Sequence, residues 1–304
     1  MKYLSSLDII IPFYNDSKGI FKLLRSLKQF SNYTTIIIID DNSDYNQYQE
    51  LIKISKEYIN VKIIQNNSGY KGAGSCRNLG ILESKSPWMM FADSDDHFLD
   101  NSSNIIERYL SKNYDMVYFP PISSDENGNL GHRHDTYLSY FNDLSGKELR
   151  YKLPVVWSRL FNSDFIKNNR IRFENTIVSN DRMFSLVSGV KAKIIEIEDR
   201  SIYSWDFNSN SLTTKMSKDR FKVNLSVFER VDKYLKSNLS ESEYKKYSET
   251  GLKFIAMSFF RYKYGVIFTI QILNSFLKKK IPIISKKDLK RFKTFFKNNK
   301  YYSR

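Results

Sequence analysis

Apolar runs and amphipathic stretches alternate regularly over the first hundred residues. Leu7–Pro12 (LDIIIP) is a near-continuous apolar run, the pattern of a strand covered on both faces. Asp16 or Ser17 can then cap a helix whose apolar positions, Ile20, Leu23, Leu24, Leu27 and Phe30, fall on one helical face. Thr34–Ile39 is a second, β-branched run, stopped by Asp40-Asp41-Asn42-Ser43. A helix over roughly 48–58, a strand over Val61–Ile64, a helix over 72–84 and a strand over Trp88–Ala92 complete a βαβαβαβ order. That order predicts an α/β fold with a parallel sheet joined by right-handed crossovers.

Beyond residue 100 the periodicity loosens. Tyr114–Phe119 reads as a strand, the polar Ser123–His134 as a loop, and Lys193–Ile197 and Ser201–Trp205 as short strands. Trp157–Asn169 mixes apolar and polar positions around Arg159 and Phe161. From about Ser217 the pattern turns helical, over Phe221–Leu235 and over one long apolar helix, Leu252–Phe276. Pro282 ends that helix and a Lys-rich final helix follows.

Charge changes this picture. The 304 residues carry 48 Lys+Arg and 33 Asp+Glu, a formal +15, and 14 of the bases against one acid, Asp288, lie beyond Thr250. A nearly neutral body therefore bears a strongly basic tail, which suits an anionic partner. One cysteine excludes an internal disulfide framework and a four-cysteine zinc site. The chain opens without the pattern of a secretory signal, and the run Tyr264–Leu277 is too short and too polar to span a bilayer. A cytoplasmic protein is the expectation.

Open parallel sheets bind ligands at the carboxyl ends of their strands, and the informative residues fall there. The first run ends in Pro12-Phe13-Tyr14-Asn15, the second in Asp40-Asp41, the fourth in Asp93-Ser94-Asp95-Asp96. The turn after the first strand, FYNDSKG, is neither a GxGxxG nor a GxxxxGK[ST] phosphate loop. A diphosphate could still bind if Mg²⁺ or Mn²⁺ bridged it to the acids, because these cations take one or two carboxylates plus phosphate oxygens. Asp93-Ser94-Asp95 accordingly reads as a metal-bridged nucleotide-diphosphate site.

The segments DIIIPFYND, IIIIDDNSD, NNSGYKGAGSCRNLGI and WMMFADSDD resemble the successive motifs of family 2 glycosyltransferases with the GT-A fold. The resemblance is strong over residues 7–100. It continues through VVWSRLFNSDFIKNNRIRF, NDRMF and IYSWDFNSNSLT to about residue 215. It implies a GT-A domain over 1–215, with a nucleotide-binding half (1–100) and an acceptor-side half (101–215), ahead of a basic helical region (216–304). It also implies roles. Pro12, Tyr14 and Asn15 would frame the base, and Asp40 or Asp41 would accept from a uracil N–H. Arg77 would face phosphate, and Asp93 and Ser94 would serve ribose or sugar hydroxyls. Asp95, with Asp93, would hold Mn²⁺ or Mg²⁺, and Asp181 would be the catalytic base of an inverting transfer. Trp157, Arg159, Asn180 and Trp205 would fall on the acceptor side. Two positions depart from the family pattern: Asn180 stands where Glu is usual, and YSWDFN lacks the usual arginine.

Plainer readings compete at each position. Asp40–Ser43 can cap the next helix, Arg77 can pair with Glu83 or solvent, and Asn180-Asp181 can be a helix N-cap. Trp157 and Trp205 can pack in a core as readily as against a sugar ring. His132 and His134 read as two solvated histidines, and Cys76 as a small buried residue. The leading function is transfer of a sugar from a UDP-sugar to a hydroxyl of a glycan or lipid-linked glycan in bacterial surface polysaccharide synthesis. A nucleotidyltransferase would want a Gly-rich basic loop near the start. A nucleic-acid binder would want recognition aromatics in a basic body, so no nucleic-acid partner is expected. In the tail, Phe292, Phe295 and Phe296 lie among Lys290, Arg291, Lys293 and Lys297, which suits residues 278–304 to an anionic membrane surface. A homo-oligomer is the alternative use of the tail.

Overall fold

The structure, a computed structural model, describes residues 6–30, 33–143, 145–208, 217–285 and 288. The chain divides into two units, residues 1–216 and 217–304.

The first unit opens with β1 (Leu7–Phe13), α1 (Ser17–Ser26), β2 (Thr34–Asp40), α2 (Tyr45–Ser55), β3 (Val61–Gln65), α3 (Ala73–Glu83) and β4 (Trp88–Phe91). This is the alternation the sequence pattern predicts. α2 begins three residues earlier than expected, because Asp44 takes the N-cap position and its amide is held by Asn15 Oδ1 at 2.8 Å. β5 (His97–Phe98), α4 (Ser102–Leu110), β6 (Met116–Tyr118), β7 (Ile122–Ser123), α5 (Asp135–Leu138) and α6 (Lys147–Lys152) follow. β8 (Arg159–Asn162), α7 (Ser163–Asn168), α8 (Asn180–Lys191), β9 (Ile195–Ile197) and β10 (Tyr203–Trp205) complete the unit.

Seven strands form one sheet in the order β3-β2-β1-β4-β8-β6-β9. β3, β2, β1 and β4 run parallel, whereas β8 lies antiparallel to both β4 and β6. β1, β2 and β4 are buried almost throughout, which is why they read as apolar runs rather than alternations. A small sheet, β5-β10-β7, stands apart. Its β7, with a bridge between Ser124 and Leu130, replaces the first part of the expected 123–134 loop.

The second unit contains α9 (Lys218–Asn238), α10 (Glu241–Tyr247), α11 (Leu252–Ala256), a π turn (Met257–Arg261) and α12 (Val266–Lys278). The single long helix expected over Leu252–Phe276 is therefore two. Lys263 and Gly265 sit at φ 51° and 94°, in left-handed backbone that a helix cannot pass through. The break falls in residues 261–265 (RYKYG), a short polar interruption between two apolar stretches that the hydrophobic pattern joins. α12 is docked by Ser275 and Lys279, both bonded to Glu229, and its last carbonyls at Lys279 and Lys280 accept from Lys236. The Lys-rich final helix and Phe292, Phe295 and Phe296 fall outside the described residues.

Candidate active site

The sheet order places the carboxyl ends of β2, β1 and β4 side by side, and three acidic loops leave from them. After β1, Tyr14 is exposed and Pro12 half-buried. Asn15 binds the neighbouring loop instead, donating to Asp44 and accepting from its amide. Asp16 caps α1 through Gly19 N and accepts from Ser94 Oγ at 2.8 Å, joining the loop after β1 to the loop after β4.

After β2, both carboxylates are buried and engaged. Asp40 accepts from Ser43 N, the local turn the plainer reading describes. Asp41 accepts from Asn66 Nδ2 at 2.6 Å and Gly72 N at 2.7 Å, so it organises the loop that enters α3. Burial and the nearby Asp41 charge push the Cys76 thiol up to about 12, which keeps it neutral and non-nucleophilic.

α3 links these loops. Its Arg77, buried on the inner face, donates to Asp93 at 2.5 Å and to Asn180 Oδ1 at 2.9 Å. The plainer reading of Arg77, a surface residue paired with Glu83 or solvent, does not hold, since Arg77 is buried and Glu83 bonds Lys62 instead. α3 and α8 approach closely at Gly74, where an added Cβ would lie 2.9 Å from the Asn180 Cβ and 2.4 Å from the Glu174 carbonyl. Asn180 thus supplies an oxygen acceptor for Arg77 from the first position of α8. Ser179, just before it, adopts φ 55°, a strained conformation for a non-glycine residue.

Asp181 lies beside this pair. Burial raises its pKa above the ordinary aspartate value, and Asp93 adds to the rise, while Arg77 and Arg159 oppose it. Arg77 responds in the other direction: burial alone would lower its pKa, but Asp93 and Asp181 hold the cation charged.

The loop after β4 concentrates negative charge. Asp95 accepts from Asn208 Nδ2 at 2.7 Å, and burial together with Asp93 and Asp16 raises its pKa. Asp96 is fully buried against the Tyr203 hydroxyl and the Asp206 amide, and its pKa is driven well upward by burial and by Asp93 and Asp95. The neighbouring carboxylates thus oppose the ionisation of Asp95 and Asp96, which a cation nearby would favour. Asp206 is the exception in this acidic neighbourhood. Burial opposes its ionisation, but His97 at 2.6 Å, Lys22 at 2.5 Å and Ser204 hold its carboxyl well below the usual range.

Among the described residues no set of three or more His, Cys, Asp and Glu side chains is arranged to hold a metal by itself. The donor set nevertheless fits a hard cation. Asp95 retains carboxylate lone pairs beyond its one amide contact, and its pKa is raised first by burial and then by the charges of Asp93 and Asp16, which a divalent ion would offset.

The expected acceptor residues divide. Trp205 keeps part of its surface exposed, while Trp157 is buried and stacks on Tyr203, with centroids 5.5 Å apart. Arg159 is 0% exposed, beneath the Tyr118 ring, with Nη2 on the Leu153 carbonyl. The structure corrects its assignment: Arg159 has no surface with which to touch an acceptor, and its influence on Asp181 is electrostatic. The two solvated histidines are also corrected. His132 is exposed, but His134 is buried against Ser123 at 2.9 Å.

Sequence reasoning missed Arg133. It rises from the loop before α5 to lie 3.5 Å from the Trp205 ring centre, and it donates to the Asp206 carbonyl. Burial lowers its pKa, against the pull of Asp96 and Asp95. A cation therefore stands beside YSWDFN although that segment contains none. No local signal in GHRHD announces it, because the contact spans more than seventy residues. Tyr137, whose hydroxyl is pushed up to about 12 by burial and the Asp181 charge, was missed for the same reason.

Comparison with known proteins yields one family. The sequence profile described as "Glycosyl transferase family 2" matches residues 8–171. An uncharacterized glycosyltransferase of Haemophilus influenzae is 32% identical over 195 residues, covering 64% of this chain and 59% of that protein. The poly(ribitol-phosphate) beta-N-acetylglucosaminyltransferase TarS of Staphylococcus aureus is 20% identical over 203 residues, covering 64% of this chain and 34% of TarS. The chain thus spans between about a third and three fifths of these relatives. The crystal structure of TarS residues 1–349 with UDP-GlcNAc superposes with a TM-score of 0.66 at 17% identity, covering 91% of this chain and 82% of that one. A Pyrobaculum calidifontis mannosyltransferase in complex with GDP-Man and Mn2+ superposes at 0.59 with 9% identity, covering 99% and 82%. These likenesses establish the fold as that of GT-A glycosyltransferases.

Proposed function

The chain belongs to glycosyl transferase family 2 and is a glycosyltransferase; from that premise we propose that it transfers a sugar from a UDP-sugar to a hydroxyl of a bacterial surface glycan, with inversion. The observation that carries this reading is the pair of hydrogen bonds made by Arg77. One guanidinium holds Asp93 of the Asp93-Ser94-Asp95 loop and Asn180 beside Asp181, so donor-side and base-side residues form one charged cluster.

In this reading Tyr14 stacks on the base with its open face, and the uracil N–H goes to Asp40 or Asp41. Asp95, with Asp93, would hold Mn²⁺ or Mg²⁺, and the bound cation would supply Lewis-acid stabilisation of the departing diphosphate. Arg133 donates toward the same diphosphate and offsets the charge of Asp95 and Asp96. Asp181 accepts the proton of the attacking hydroxyl. Its burial makes it a stronger base than an exposed aspartate, and Arg77 and Arg159 keep enough positive charge nearby for it to ionise. Trp205 keeps exposed surface beside Arg133 that an acceptor sugar would reach.

Two observations support the donor and acceptor classes. TarS is crystallised with UDP and with UDP-GlcNAc, and its name makes poly(ribitol-phosphate) its acceptor. The enzyme would act in the cytoplasm, with the basic tail (278–304) against the anionic inner face of the membrane, where lipid-linked acceptors lie. Among the described residues no helix is long and apolar enough to cross a membrane.

The test is calorimetry with UDP and Mn²⁺, paired with turnover on a panel of UDP-sugars. Metal-dependent UDP binding and turnover of one donor are expected. Absence of UDP binding, with or without the cation, overturns the donor assignment.

A further inference from the structure

α12 is apolar on two opposite faces. Ile272 and Phe276 point inward and are buried, with Phe276 against Phe228 and Phe254. Half a turn round the helix, Val266, Ile267, Ile270 and Leu277 form a second aliphatic stripe that stands in solvent, with Ile267 77% and Leu277 58% exposed. The π turn adds Phe259 and Phe260, an edge-to-face pair of which Phe260 is 74% exposed. Ser258 Oγ bonds Thr269 Oγ1 at 2.9 Å, so the π turn and α12 are tied together. A helix that buries one apolar stripe ordinarily turns polar residues outward; here Gln271 and Asn274 do so, but six large apolar side chains exposed within twenty residues exceed the scattered singles of an ordinary surface.

The charged side chains that this segment itself carries are of one sign, although Lys279 is paired with Glu229 of α9. Residues 251–285 contain Lys253, Arg261, Lys263, Lys278, Lys279 and Lys280 and no Asp or Glu. Arg261 and Lys263 lie at the end of the patch that precedes α12, and Lys278–Lys280 at the other. A second copy meeting this face by two-fold symmetry would bring Arg261, Lys263 and Lys278 of one copy, cations without an ion pair among the described residues, toward those of the other. An anionic bilayer complements both features: aliphatic and phenyl groups enter the acyl boundary while the flanking cations meet the headgroups.

We propose that the face formed by Phe259, Phe260, Val266, Ile267, Ile270 and Leu277 is the membrane-docking surface of this enzyme, lying flat on an anionic lipid surface. This deepens the membrane contact proposed above and rests on that reading. It places the insertion in α12 and the π turn and leaves the tail an electrostatic role.

The experiment is flotation of the full-length protein with vesicles of mixed phosphatidylcholine and phosphatidylglycerol, beside pure phosphatidylcholine vesicles. Wild type is expected to float with the mixed vesicles and far less with the neutral ones. Ile267→Asp/Ile270→Asp is expected to weaken partitioning about tenfold or more, with melting temperature and UDP binding unchanged because both side chains are already exposed. Ile267→Trp/Ile270→Trp is expected to strengthen partitioning, since tryptophan favours the interface. A chain ending at Asp288 separates the tail's contribution from that of the face. Equal flotation of the Asp double variant and wild type overturns the proposal. If the shortened chain alone loses binding, the tail reading survives and this one falls. If the Asp variant changes sedimentation from dimer to monomer, the face belongs to a second copy and the proposal also falls. Loss of UDP binding would instead count against the transferase reading.

Discussion

Between Leu7 and Asp96 polar side chains are carried into the protein and bound there. Between Met257 and Leu277 apolar side chains are carried out to the surface and left uncovered. Both arrangements work against the usual partition of residues, and both cost stability: buried carboxylates resist ionisation, and exposed aliphatics gain nothing from folding. The two regions manage the cost differently. The first compensates internally, with Arg77 on Asp93 and Asn180, Asn66 and Gly72 on Asp41, and Lys22 and His97 on Asp206. Among the described residues the second has no covering partner for much of the surface of its six side chains. The difference points to a small charged ligand at the first region and an extended apolar one at the second.

The contrast can be broken hardest at Asp95. Asp95→Ala should abolish measurable transfer and Mn²⁺-dependent UDP binding by calorimetry while leaving the fold intact, because Asp95 makes only one side-chain contact that the structure shows. Full turnover in this variant would separate the acidic loop from the chemistry.

Asp181→Asn comes next. Turnover should fall by about 10²–10⁴-fold, with UDP affinity preserved. The wild-type pH profile should carry the matching sign. A base whose folded pKa is raised loses its working, ionised form as pH falls through that raised value, so the acid limb of kcat/KM should lie above the ordinary aspartate range. Unaltered turnover in the Asn variant would reject Asp181 as the base.

Arg77→Ala removes the tie itself. Thermal or urea unfolding should show a loss of about 1–3 kcal/mol, since Asp93 is partly solvated and Arg77 is not. The acid limb should also move to higher pH, because Arg77 is the largest influence holding Asp181 down. A stability loss without that movement would make Arg77 purely structural.

Arg133→Ala should have the smallest effect, raising the donor KM roughly tenfold with little change in kcat. That size follows from a partly exposed cation over an aromatic ring, and Arg133→Lys should restore part of it. An unchanged KM would remove Arg133 from the donor side.

Much of this was legible in the sequence because its signals are local. The runs at Leu7–Pro12, Thr34–Ile39 and Trp88–Ala92 are apolar for the reason that makes them central strands, and acidic residues follow two of them directly. The basic tail and the apolarity of residues 264–277 were equally visible. Backbone geometry was less so: the break at Lys263 and Gly265 falls in a five-residue polar interruption, RYKYG, too short to outweigh the apolar stretches on either side.

Long-range pairing stayed hidden. Arg77 reaches Asn180 across 103 residues, and Arg133 reaches the strand-end aromatic Trp205 across 72. Neither Arg159, buried at 0% exposure, nor His134 differs in sequence from a surface residue of its type. Local propensity and hydrophobic period act over a few residues and so determined which elements form and where their ends carry charge. Which charges neutralise one another, which cation serves a segment that lacks its own, and which face of α12 is left uncovered depend on how distant elements pack. Those were decided only when the chain closed on itself.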